Sequence, residues 1–108
     1  MASSFLSYAN KSVGTSPATI VTVGTTTKAT IIGLSCSNIT ASPVTADVYI
    51  TRSAVDYYLI KGATVPVGGS LVVVGGDQKV VLNGDDVLKV VSSAASSIDA
   101  VTSVLNIT

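Results

Sequence analysis

VVLNGDDVLKVVSS, residues 80–93, decides how the rest of the chain is read. Asp85 and Asp86 follow Asn83 and Gly84, and a third acid, Asp77, lies just upstream. Adjacent carboxylates suggest a metal or catalytic site. The flanks argue for a turn: VVL and VLKVV are short, β-branched and strand-like. Asn-Gly is a strong turn dipeptide because both residues tolerate positive φ. The acids beside it can accept backbone N–H groups. A calcium loop needs oxygen ligands at alternating positions, and that pattern is missing. The expectation is a hairpin.

Outward from this turn the same grammar repeats. Strand-like runs are read at 5–13, 18–24, 28–38, 44–52, 56–62, 70–75, 78–84, 86–93 and 98–108. Pro17, Pro43 and Pro66 lack an N–H and fall between runs, where no sheet needs one. Gly68-Gly69 and Gly75-Gly76 offer positive φ for turns. In ADVYITRS, Ala46, Val48 and Ile50 face one way and Asp47, Tyr49 and Thr51 the other. In the last run Val101, Leu105 and Ile107 share a face opposite Thr102 and Asn106; one set belongs in a core, the other toward solvent or a neighbour. Val72–Val74 is apolar on both faces, which suits a central strand or one covered by another subunit. SSAASS (92–97) is short enough for a loop. No window shows a helical period. The fold expected is an all-β, antiparallel β-sandwich, Ig-like or jelly-roll-like, of about eight or nine short strands. Residues 1–12 read as an N-terminal strand or arm, and 13–108 as a single sandwich domain.

The 108 residues suit one domain with a core of its own. Only 11% are charged and 47% are hydrophobic, with six basic residues against six acidic ones. Zero net charge gives little self-repulsion, which favours association. Glu, His and Trp are absent. Without His no Ser, Thr or Cys36 has the usual activating base. One cysteine cannot build the common zinc sites or an intramolecular disulfide, and Cys36 reads as a small buried hydrophobe. The glycine pairs form no phosphate loop. The scattered Lys and Arg form no basic stripe for nucleic acid. No apolar run approaches the ~18 residues of a membrane span. The N-terminus lacks the basic region and apolar length of a secretory signal, so synthesis in a cytosol is expected. The sequons at Asn38 and Asn106 then read as accidental. The sequence therefore predicts no enzyme, no cofactor and no metal.

Tyr57-Tyr58 in DYYLIKG should point to opposite faces, one to the core and one exposed. The exposed ring would either anchor an interface or cover a sheet. The candidate interface residues are Phe5, Leu6 and Tyr8 in the N-terminal strand, with Tyr57 and Tyr58.

The second half resembles small virion structural proteins of tailed bacteriophages, especially marine and cyanobacterial phages. The resemblance rests on Tyr57 and Tyr58, Pro66 with Gly68 and Gly69, Lys79–Leu82, Gly84-Asp85, Val91–Ser93 and Ser103–Thr108, and covers about residues 30–108. Asp86 is an extra acid relative to that pattern, with no functional role expected of it. The resemblance implies a β-sandwich that assembles in many copies on the particle, as a homo-oligomer contacting the major capsid protein or neck and tail proteins. Within that class capsid decoration, or cement, is favoured over a neck, collar or tail–fibre junction. It also implies location in the virion after synthesis in the host bacterial cytoplasm. A receptor-binding module is the alternative from another class; an enzyme ranks third.

Overall fold

A computed structural model gives the architecture and describes residues 3–75 and 79–108. Asp77, Gly76 of the second glycine pair, the start of the 78–84 run and the first two arm residues lie outside the described residues.

Nine strands lie among the described residues: β1 (Ser3–Val13), β2 (Ala18–Thr22), β3 (Lys28–Asn38), β4 (Val44–Arg52), β5 (Val55–Val65), β6 (Ser70–Val74), β7 (Val80–Leu82), β8 (Val87–Ser92) and β9 (Ile98–Ile107). Pro17, Pro43 and Pro66 each sit in a connection. Sheet A runs β1-β9-β3-β6, with β7 also paired to β3; sheet B runs β2-β8-β4-β5. All pairings are antiparallel. β6 borders β3 at Leu34–Ser37 and β7 borders it at Ala29–Ile31, so the two act as one edge strand in two pieces. Counting them as one, the orders 1-9-3-6 and 2-8-4-5 are those of a jelly roll rather than an Ig-like sandwich. Residues 3–12 are part of this sandwich: β1 is paired along β9 from Ser3↔Ile107 to Val13↔Ile98.

The core lies between the sheets. Sheet A contributes Ile31, Leu34, Leu82, Ile98 and Val104; sheet B contributes Val48, Leu88 and Val90, all fully buried. Along β8 and β9 the side chains alternate with period two and the inward set is buried. β3 changes phase at a bulge between Ile31 and Gly33. Ala29 and Ile31 face in before it, and Leu34, Cys36 and Asn38 after it. The hydroxyl of buried Thr102 donates to the Gly33 carbonyl at 2.7 Å, satisfying both groups.

The VVLNGDDVLKVVSS turn is not a hairpin. β7 pairs with β3 in sheet A and β8 with β2 and β4 in sheet B, so residues 83–86 cross between sheets. Positive φ falls on Asp85 (φ 70), not on Asn83 or Gly84. Gly84 is needed for close approach instead, since a Cβ there would overlap the Thr25 carbonyl. Asp86 is also more than a turn residue. It is 1% exposed and accepts from Arg52 Nε at 3.0 Å, Arg52 Nη2 at 2.6 Å and the Asn83 N–H at 2.7 Å. The true two-residue hairpin joins β4 to β5, where Arg52 faces Val55 across Ser53 (φ 52) and Ala54 (φ 64).

At the opposite end Asn38 ties down the β3–β4 loop. Its Nδ2 donates to the Ser42 and Val65 carbonyls, and its Oδ1 accepts from Thr40 N–H and hydroxyl. A buried amide with both donors used offers nothing to glycosylation, which leaves the Asn38 sequon without a role. The SSAASS segment is a loop anchored by a hydrogen bond between the buried Ser92 and Ser97 hydroxyls.

Candidate assembly surface

The two outer faces of the sandwich differ in chemistry. On sheet B the outward positions include Asp47, Lys89 and Asp56, with Tyr49 among them. Tyr58 packs on Tyr49 with ring centroids 5.0 Å apart, and Lys61 Nζ lies 4.4 Å from the Tyr58 centroid. The Tyr49 hydroxyl is pushed up by burial, with nearby Asp56 adding to the effect. This is an ordinary solvated face with an aromatic cover.

Sheet A is different. In β9 the buried set is Ile98, Ala100, Thr102 and Val104, so Val101 and Leu105 point outward. Hydrophobicity alone would have turned the strand the other way. β1 places Phe5, Ser7 and Ala9 beside Leu105, Ser103 and Val101. β3 adds Thr30, Gly33 and Ser35 in the same rows. Val72 faces Ser35 from β6 and Val81 faces Thr30 from β7. The central paired positions carry no charge; Lys28 lies at one end and the Lys11–Asp99 ion pair, 3.2 Å, at the other. Asp99 is held below the usual carboxylate range chiefly by the Ser12 N–H, then by Lys11. Phe5 is 77% exposed, Val72 64%, Val81 53% and Val101 46%. Over Gly33, which has no side chain to fill it, a shallow depression of about 240 Å³ opens between Val72 and Val101. This exposed, partly apolar face without central charges is the candidate contact surface.

The candidate interface residues do not form one group. Phe5 lies on the sheet A face. Leu6 and Tyr8, opposite Val104 and Thr102, point to the core side of β1. Tyr57 and Tyr58 are on β5 in sheet B, and both are exposed, contrary to the expectation that one enters the core. The buried tyrosine is Tyr49, because β5 is an edge strand and cannot bury both its faces. Val72, Val81 and Val101 were not among the candidate interface residues, although Val72–Val74 reads in the sequence as a run that another subunit could cover. The period-two pattern of β9 was the available signal for Val101. β6, being an edge strand, is not the central strand that Val72–Val74 could have suggested.

Cys36 is fully buried and its thiol is pushed up to about 11 by that burial. Among the described residues no three His, Cys, Asp or Glu side chains converge as metal ligands would. Among them no helix is long and apolar enough to cross a membrane.

These features define a jelly-roll domain whose sheet B outer face is charged and whose sheet A outer face carries its charges only at the two ends. No family model matches the chain, and no curated protein matches it in sequence. Among solved structures it is similar to a subunit of Bacillus endospore appendages, described as a novel family of disulfide-linked pili. The TM-score is 0.56 at 13% identity, over 99% of this chain and 87% of that one. That likeness shows the β-sandwich fold. A second match, to infectious bursal disease virus strain Gt, has a TM-score of 0.41 at 10% identity, over 96% of this chain and 35% of that one.

Proposed function

We propose that the protein is a non-enzymatic structural subunit that assembles in many copies, using the outer face of sheet A as its main contact. The observation that carries this reading is the outward apolar set Phe5, Val72, Val81 and Val101 on a face without central charges. Exposed apolar side chains on a face with no central charge suit a surface that meets a neighbour. The fold shared with an appendage subunit is in keeping with a building-block role. Cys36 cannot supply a link of the disulfide kind from the folded state, because it is buried and its thiolate is disfavoured. Contacts would be non-covalent and mainly apolar.

The setting we propose is the virion of a tailed phage, with capsid decoration as the specific role and a neck or tail part as the alternative. The resemblance of residues 30–108 to phage virion proteins supports it. The purified protein should gain mass by light scattering as its concentration rises from micromolar to millimolar, with little change on adding salt. A strict monomer throughout would overturn the assembly reading. Copy number per purified particle, by quantitative mass spectrometry, tests the setting. Hundreds of copies fit decoration, about a dozen or fewer fit a neck or fibre part, and absence refutes the virion.

A further inference from the structure

The sandwich has four sheet borders, and three are blunted. β2 is only five residues long. On the β6/β7 border, β6 is five residues long and β7 three. β5 breaks register against β4 on both sides of Val48, its Gly62 has φ +67, and the Gly62 N–H is held by Asp47 at 2.7 Å. Short length and bulges are the usual protections against strand addition. β1 has none of them from Ser3 to Asn10. That stretch carries no charge and no proline, and keeps unbroken register with β9 until the irregularity at Asn10–Val13.

The core rows of sheet A also run out unfinished at β1. Ile31 and Val104 are fully buried, yet Leu6, next in the row and pointing to the same side, is 40% exposed. The next row, Leu34 and Thr102, ends on the half-buried Tyr8.

We propose that β1 pairs antiparallel with β1 of a second copy of this chain, about a two-fold axis at Ser7. This rests on the assembly reading above and names its first contact. In an antiparallel pair, directly opposite residues share a face. A two-fold axis at a residue keeps inward side chains opposite inward ones; an axis between residues would set them against outward ones. Centring on Ser7 sets Leu6 opposite Tyr8 of the other copy, which continues both unfinished rows. It sets Phe5 opposite Ala9, large against small, and it opposes no like charges near the axis. The pairing is isologous and closes on itself. Strand spacing and rise put one outer face of sheet A at roughly 500 Å², below the ~800 Å² per partner of a standard interface. Two copies joined edge to edge present one continuous face of twice that extent.

Single cysteines introduced on β1 test the register, since buried Cys36 contributes no background. Opposite Cα atoms in such a pair fall within disulfide range. Under mild oxidation Ser7→Cys should form covalent dimer at least about tenfold more efficiently than Phe5→Cys or Ala9→Cys alone. A mixture of Phe5→Cys and Ala9→Cys chains should cross-link to each other. Light scattering on the unmodified protein runs alongside. Oligomers without a Ser7→Cys cross-link would overturn the β1 pairing and leave the assembly reading standing. Monomers throughout would overturn both.

Discussion

Replacing Asp86 by Asn tests whether the inter-sheet crossing depends on a paired charge or only on a turn. Asp86 is buried, and its carboxylate takes two Arg52 nitrogens and the Asn83 N–H. The amide keeps the shape, but it turns an NH₂ toward the guanidinium or leaves Asn83 short of an acceptor. Breaking a fully buried ion pair costs about 3–5 kcal/mol. Arg52 is 42% exposed, so water recovers part of that, and about 2–3 kcal/mol is expected. Against a total of roughly 5–15 kcal/mol this is a large share. At about 4 °C per kcal/mol, Asp86→Asn should melt about 8–12 °C lower at neutral pH. Calorimetry at one fixed concentration reads it, because assembly makes melting concentration-dependent.

The same experiment at falling pH checks the cause. The Arg52 guanidinium holds the Asp86 carboxyl below the usual carboxylate range; burial opposes this and the Asn83 N–H reinforces it. The unfolded chain therefore binds the proton first. The stabilisation is complete above the unfolded value of about 4 and drains away as pH falls through the depressed native value. Asp99, also depressed, is common to both proteins and cancels in the difference. The melting gap between wild type and Asp86→Asn should narrow on acidification below about pH 4. A gap constant with pH, or one of only ~2 °C at neutrality, would refute the buried-pair account.

Further outcomes follow from the same geometry. Gly84→Ala should cost about 3 kcal/mol, read by urea unfolding, because its methyl meets the Thr25 backbone. Ser53→Asn with Ala54→Gly should raise stability by about 1 kcal/mol in the same assay, since both positions hold positive φ that Ser and Ala tolerate poorly. Thr102→Val should lose about 1–2 kcal/mol by stranding the Gly33 carbonyl. Val72→Asp with Val101→Asp should abolish concentration-dependent mass gain while shifting the melting temperature by less than about 4 °C. Persistence of oligomers in that variant would move the contact off sheet A.

Strand positions were legible because their signals are local. Proline and period two mark where a strand starts and which residues share a face, and β4 begins just after Pro43, whereas Gly62, read as the end of the 56–62 run, lies inside β5. Sheet membership was not legible. Asn83-Gly84 reverses the chain whether the next strand pairs back or crosses over, and only the partners of β8 decide. The bulge at Ile31–Gly33 left no mark either, since Ile32 suits either face. For the candidate surface, the sequence supplied Phe5 and the two-sided pattern of Val72–Val74. The facing of β9 depended on Ala100 and Thr102 fitting the core beside large neighbours, a property of packed volume that no single strand carries.

The pairing of β1 with β9 also sets an order of events during synthesis. β1 emerges from the ribosome before the other eight described strands, yet its partner within the sandwich is the strand ending at Ile107. Until that strand emerges, the uncharged Ser3–Asn10 segment has no place in its own sheet A. Nascent chains on one polysome then hold neighbouring copies of an unprotected β-prone segment close together. Rapid synthesis would favour premature association, and chaperones that mask the segment would be worth most in that interval.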